Sequence, residues 1–345
     1  MGSLSKLVRV WVALGSAAML AMPAVPQEAT GQGPVIKSQV SLVNVFATVR
    51  DKNKRIIGDL KLEDFKIVED NQDQKIAFFS KEVSLPITLA LLLDTSGSEQ
   101  DMLSAIQSAG SQFLDRVLRK GDEALVMSFD TDVDMLSDFT DDRAQLDRAV
   151  RRARINTPGG GMIAGNPGPI GNQQMVGTAL YDAIYLASGE KLSTEAGRKA
   201  IVIVTDAQDE GSKVRLEEAI ESAQRTDSVI HILLVADRRF GGGNGGVAKR
   251  LADETGGRMI TVNSEKKLKE AFDEISDELR SQYTLGYYPS NAARDGKFRK
   301  IKVETNNHDL KVLARKGYYA PKGEAAYLGE PAGGVPEPVA MARAK

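Results

Sequence analysis

Asp94, Ser96 and Ser98 stand at alternate positions in the run Leu-Leu-Asp-Thr-Ser-Gly-Ser over residues 92–98. One carboxylate and two hydroxyls on a single tight turn offer three hard oxygen donors, the ligand chemistry of a divalent cation such as Mg2+. Two further segments place oxygen where such a site would need it. Thr178 falls in Gly-Thr-Ala-Leu-Tyr-Asp over 177–182, at the expected start of a helix, as a capping-type hydroxyl. Asp206 closes the apolar run that begins at Ile201, and Asp209 follows in the next turn. Each has a plain structural reading when taken alone: capping serines at a strand end, an N-cap threonine, turn aspartates. Asp130, Asp132 and Asp134 also alternate after a strand, and they read as a solvated loop rather than a second ion site.

The elements that must position these groups are legible from apolar periodicity. Strand-like runs occur at 87–93 (ITLALLL), 124–129 (ALVMSF), 200–205 (AIVIVT), 229–235 (VIHILLV) and 259–262 (MITV). Helical patterns lie between them near 101–119, 142–154, 178–191, 213–226 and 247–255, with another at 265–281. Continuously apolar strands alternating with helices predict an α/β fold, doubly wound around a mainly parallel sheet covered on both faces. Leu268, Phe272, Ile275 and Leu279 mark one face of the last helix. Ligands of such a sheet gather at the carboxyl ends of its strands, where Asp94 and Asp206 fall.

Short β segments flank this region. Residues 34–84 contain the alternation Val43, Val45, Ala47, Val49, a second strand around 55–58, and a third at Phe65–Val68. After Tyr283 come YTLGYYP, FRKIKVET and DLKVLARKGYYA, read as three more strands within 283–320. Neither part has enough strands to stand alone, so the two are expected to pack together as a small β-sandwich-like domain, with the 85–282 domain inserted between them. Residues 1–26 have the charge and apolar pattern of a signal peptide, with Lys6 and Arg9 ahead of about sixteen apolar residues. That is short for a span, so the membrane is a partner only through this segment if it is uncleaved, and export to the periplasm or cell surface is expected. From about Pro321 to residue 345 the tail reads as disordered.

Composition narrows the chemistry. The 345 residues include 45 Lys and Arg against 47 Asp and Glu, a net charge of −2, with the basic residues dispersed. Nothing here suggests a nucleic-acid partner. The absence of cysteine removes disulfides, thiolate metal sites and thiol nucleophiles.

Taken together, the motif and its setting resemble the metal-ion-dependent adhesion site of von Willebrand factor A domains. Asp94, Ser96 and Ser98 match that family's first loop, Thr178 its second and Asp206 its third. Leu85–Leu93, Asp253–Gly257 and the last amphipathic helix are similar to the same fold. Leu62–Phe65 and Arg315–Tyr319 resemble an exported bacterial subgroup best known from acidobacteria, so the likeness covers about 35–320. The resemblance implies Mg2+ (or Mn2+ or Ca2+) held by five oxygen residues, and an acidic residue of a protein partner completing the shell. It also implies that the last helix shifts in relatives with regulated binding. The Gly/Pro-rich stretch 157–173 departs from the pattern and is expected to overhang the metal.

Three other readings compete. GGGNGG at 241–246 satisfies G-x-G-x-x-G, but it lies too far behind a late strand for a dinucleotide fingerprint, and it reads as a flexible loop. A metal-dependent hydrolase would need a base. No G-x-S-x-G elbow exists, and the only histidines are His231, expected as a satisfied core residue, and His308 in a polar turn. A purely structural ion would tie the three loops together without enabling any partner to bind. The expectation is a binding module and not an enzyme.

Overall fold

The computed structural model describes residues 42–81, 85–155, 177–236 and 243–323, all within the unit spanning Gln39–Lys345. The expected signal peptide, the 157–173 loop, the first two glycines of GGGNGG and nearly all of the tail lie outside the described residues.

A central sheet is built from β5 (Ile87–Asp94), β6 (Glu123–Phe129), β7 (Val133–Thr140), β8 (Arg198–Thr205), β9 (Ser228–Val235) and β10 (Met259–Val262), in the spatial order β10-β9-β8-β5-β6-β7. Every pairing is parallel except β6 with β7. Alternate residues of a strand face opposite sides. Leu89, Leu91 and Leu93 of β5 therefore pack with α1 (Leu103–Val117), α2 (Arg143–Arg152) and α6 (Glu265–Leu279). Ala90 and Leu92 pack on the other face with α3 (Leu180–Tyr185), α4 (Leu216–Arg225) and α5 (Gly245–Thr255). All eight residues of β5 are buried, as a continuously apolar run predicts. Burying each such leucine contributes about 2 kcal/mol.

Two four-stranded antiparallel sheets flank this domain and form the expected sandwich. One has the order β13-β1-β11-β4, from β13 (Lys311–Ala314), β1 (Val43–Arg50), β11 (Tyr283–Tyr287) and β4 (Ile76–Ser80). The other is β14-β12-β2-β3, from β14 (Gly317–Tyr319), β12 (Phe298–Thr305), β2 (Phe65–Glu69) and β3 (Gln72–Gln74). Val45, Val49, Ile67, Leu285 and Ile301 share its core. Within that core the buried Glu69 carboxylate accepts hydrogen bonds from the hydroxyls of Tyr287 (2.6 Å) and Tyr318 (3.1 Å).

Several elements differ from the sequence reading. The strand expected at 55–58 is reduced to a single bridge between Arg50 and Ile56. The run 309–320, expected as one strand, splits at Arg315 and Lys316. Its first half pairs with β1 and its second with β12, so the chain changes sheets at this corner. There the Arg315 guanidinium donates to the Asn44 carbonyl at 2.5 Å. The helix expected over 178–191 is α-helical only at Leu180–Tyr185, then widens into a π turn over Leu186–Lys191. In that turn the Ser188 hydroxyl donates to the Ile184 carbonyl and meets Ser222 of α4 at 2.7 Å. Of the acidic alternation after β6, Asp130 and Asp132 lie in the loop as expected, whereas Asp134 belongs to an edge strand, β7. Its Asp134 and Asp138 are exposed, the charged edge that keeps a sheet from pairing onward.

His231 of β9 is buried as expected, yet neither ring nitrogen has a hydrogen-bond partner. Three charged groups face it: Glu278 of α6, with Oε2 at 3.7 Å from Nδ1, and the guanidiniums of Arg50 and Arg258. Burial first, then the two guanidiniums, push the imidazole pKa down to about 3. The unfolded chain takes up a proton near pH 6.5 that the folded chain refuses, so stability falls as pH drops from 6.5 towards 3. We expect His231→Leu to flatten that slope by up to about 1.4 kcal/mol per pH unit. Urea unfolding at stepped pH between 7 and 4 measures it, and an unchanged slope would show that His231 does not carry it.

Candidate metal centre

The chain runs from β5 to β6 on one side of the sheet and from β8 to β9 on the other. The direction of winding therefore reverses between β5 and β8, which are neighbours. Loops leaving such a pair diverge and open a crevice at the carboxyl edge. Asp94 ends β5 and Asp206 follows β8, so the topology sets one carboxylate on each lip.

Asp94 is fully buried. Its Oδ1 accepts from the Ser96 backbone N–H at 2.9 Å, which folds the chain into the turn. Its Oδ2 accepts from the Thr205 hydroxyl at 2.6 Å. Thr205 is oriented in turn by the Ala207 N–H at 2.9 Å, so the last residue of β8 aims the carboxylate of β5. The Ser96 and Ser98 hydroxyls, both half-buried, lie 3.0 Å apart on a one-turn 3-10 helix, Gly97–Glu99. Asp206 is buried, and its carboxylate accepts from the backbone and side chain of Gln208 at 3.0 and 3.1 Å. The next residue, Ala207, holds φ at +58°, a left-handed conformation that an alanine adopts only under constraint. Gly243, at φ +77°, passes so close to the Asp206 carbonyl that a Cβ would sit 2.8 Å from it.

Thr178 is buried at the same edge, but it does not cap the helix. The N-cap is Ala179, and no side chain caps there. Thr178 is fixed instead by its carbonyl, which accepts from Glu210 and Gly211 at 3.2 Å each. Asp209, in the turn after Asp206, serves a neighbouring helix. It accepts from the Tyr181 N–H (3.1 Å) and the Ser212 hydroxyl (2.5 Å), so it satisfies the first turn of α3. Asp130 is buried and joins the first two loops: its carbonyl accepts from Ala179 (2.6 Å), and its carboxylate lies 3.5 Å from the Thr95 hydroxyl.

Sequence reading missed one residue. Glu99, directly after Ser98, is fully buried, and a carboxylate oxygen of Glu99 lies within 4.8 Å of oxygens from Asp94 and Asp206. Its adjacency to the motif, within one helical turn of Ser96, was the available signal. A glutamate beside a motif usually reads as solvated surface.

The electrostatics fit a cation. Burial pushes the Asp94 carboxyl up to about 7 and the Asp206 charge adds to this, while hydrogen bonds from Ser96 and Thr205 oppose it. No cationic side chain is among the groups that act on it most strongly. Buried carboxylates held close together are costly, and a divalent ion offsets that cost. Asp94, Asp206 and Glu99 bring carboxylate oxygens within 4.8 Å of one another, donor chemistry suited to a hard cation.

A carboxylate and two hydroxyls after the first strand of an open α/β sheet, with a second aspartate across its switch point, define a metal-ion-dependent adhesion type of site. Residues 89–208, within the central α/β unit, match the family model described as von Willebrand factor type A domain. No curated protein matches the chain. Among solved structures, the chain is similar to BatB, a conserved hypothetical protein from Bacteroides thetaiotaomicron. The identity is 21%, over 56% of this chain and 100% of that one, with a TM-score of 0.43. It is also similar to a von Willebrand factor type A protein from Catenulispora acidiphila, at 12% identity over 83% and 75% of the two chains, TM-score 0.46. A third likeness is to proximal thread matrix protein 1 from the mussel byssus, in a structure described as having a zinc occupied MIDAS motif. There the identity is 17% and the TM-score 0.46, over 60% of this chain and 48% of that one, so the chain spans about half of the mussel protein's length.

Proposed function

We propose that this chain is an exported protein-binding module in which Asp94, Ser96, Ser98, Thr178 and Asp206 hold Mg2+, with Mn2+ or Ca2+ as substitutes, for contact with an acidic residue of a protein partner. The ion would supply Lewis acidity at a coordination position reachable from outside. The chain's own part is to place the donors and to hold the loops around them. The observation that carries this reading is the meeting of Asp94 and Asp206 at the sheet's switch point.

Export rests on the pattern of the first 26 residues and the resemblance of the flanks to exported bacterial proteins. Among the described residues no helix is long and apolar enough to cross a membrane. Neither histidine serves the site: His231 faces Glu278 in the core, and His308 is exposed on a turn.

Thermal unfolding with Mg2+ or Mn2+ against EDTA, combined with capture from the native secretome, tests the proposal. The melting temperature is expected to rise with metal, and a partner to be retained with Mg2+ and released by EDTA. Asp94→Ala should abolish both effects while its far-UV circular dichroism is unchanged. Stabilisation by metal with no metal-dependent capture would favour a structural ion, and metal-dependent turnover of phosphoesters or peptides would favour an enzyme.

A further inference from the structure

We propose that the crevice between α4 and the corner of the sandwich at Arg315 is a second binding site, separate from the metal centre. Its ligand is a small molecule that carries a carboxylate or phosphate group.

Three guanidiniums from three segments line this crevice, whose volume is about 200 Å3. Arg225 ends α4, Arg294 lies between β11 and β12, and Arg315 stands where the chain changes sheets. Asp227 is the one carboxylate among the described lining residues. The charges do not cancel. Glu221, one turn back on α4, pairs with Arg225 at 2.6 Å, and Asp227 pairs with Arg315. No carboxylate of the described residues pairs with Arg294, whose Nε donates to the Gly323 carbonyl at 3.0 Å. Walls with a surplus of positive charge concentrate anions.

The guanidiniums are also held ready. Arg225 lies over the Tyr319 ring, with Cζ 4.0 Å from its centroid, and Arg315 over Tyr318 at 5.6 Å. A planar fork fixed in this way grips carboxylate or phosphate oxygens with little further loss of freedom. The Arg315 side chain is only 10% exposed, and its Nε has no hydrogen-bond partner. A buried donor of this kind points to a bound group that completes it. Pro289, Ala292 and Ala293 add small apolar surface for a carbon skeleton. The volume is below the roughly 300–1,000 Å3 of drug-sized sites, which limits the ligand to a small organic acid or phosphate ester. One wall is α4 and the other is the sandwich, so an occupant joins the two domains and stabilises the folded chain by mass action.

The test uses the whole chain in EDTA and low-salt chloride buffer, with inorganic phosphate and citrate as probes. Each is titrated by calorimetry and against the melting temperature. At least one is expected to bind saturably and to raise the melting temperature, and the tighter of the two tells a phosphate ester from an organic acid. Arg294→Gln should weaken that binding about tenfold or more. Arg225→Gln should weaken it as well, which keeps the test open if the first variant unfolds. Asp94→Ala should bind the probe as the unchanged protein does, whatever becomes of the metal centre. Absence of saturable binding by both probes would overturn the proposal. Binding undiminished in both arginine variants would mean an adventitious ion only, and would overturn it equally.

Discussion

In EDTA at pH 7, Asp94→Asn should melt several degrees above the unchanged protein, although it alters the central residue of the site. Burial holds the Asp94 carboxyl near pKa 7, against 3.8 in the unfolded chain. The folded state thus keeps a proton between about pH 4 and 7 that the unfolded state has released, so metal-free stability declines as pH rises through that window and is flat above it. The full shift corresponds to about 4 kcal/mol. Part of this is returned when the amide replaces the carboxylate that accepts from Thr205 and Ser96. A net gain of about 2 kcal/mol would raise the melting temperature by roughly 4–8 °C for a domain of this size. The decline between pH 4 and 7 should shrink in the variant. Saturating Mg2+ should reverse the order, because only the unchanged protein gains ligand stabilisation. Calorimetry in EDTA and in Mg2+ decides the matter: a variant that melts lower in both would show that the cluster is not strained without metal.

The second large effect is expected far from the metal. Glu278, near the end of α6, is almost fully buried, with Arg50 of β1 at 2.5 Å and Arg258, ahead of β10, at 3.0 Å. Burial outweighs both guanidiniums and holds the Glu278 carboxyl above its ordinary range. Its removal leaves Arg258 to the half-exposed Glu274, at 2.6 Å, and leaves Arg50, only 6% exposed, with that carboxylate no nearer than 3.9 Å. Breaking a buried pair by deleting one partner costs about 3–5 kcal/mol, so Glu278→Ala should lower the urea midpoint substantially. Arg50 belongs to the sandwich, whereas Arg258 and Glu278 belong to the α/β domain. The loss should therefore show in probes of both. A change below about 1 kcal/mol would mean that water replaces the carboxylate and that the cluster is not a structural joint.

Much of the architecture was written in residue patterns because burial on two faces leaves a strong signal. The run at 87–93 has no polar interruption except Thr88, and it forms the fully buried strand it predicts. Edge strands were harder to see. In β7 the exposed side carries Asp134 and Asp138, and in β4 Phe78 is about half exposed, so neither strand shows a clean alternation. The division of 309–320 between two sheets depends on one partner, β1, near the other end of the described chain and on another, β12, close by, a choice that local pattern cannot encode. The candidate site was legible where spacing was local, as at Asp94, Ser96 and Ser98. Asp206 was found because it ends a strand. Glu99 was not, since its closeness to Asp206, far along the chain, is a tertiary fact. The capping expected of Thr178 failed for a similar reason: tertiary bonds to Glu210 and Gly211 set its backbone.

The order of strands in the first sandwich sheet also governs how the chain assembles. β11 lies between β1 and β4, and both of those precede Ile87–Leu279 in the chain. As the chain emerges from a ribosome or a secretion channel, β1 and β4 have no neighbour to pair with until the entire α/β domain has followed them out. Long-range pairing of this kind is slow, because the closure entropy is lost before any contact is gained. The α/β domain, whose parallel strands are joined by short crossovers, can complete itself first and bring the two ends of the sandwich within reach. In this way the insertion acts as a built-in template for the domain that surrounds it, and the two early strands are exposed longest on the way to the folded state.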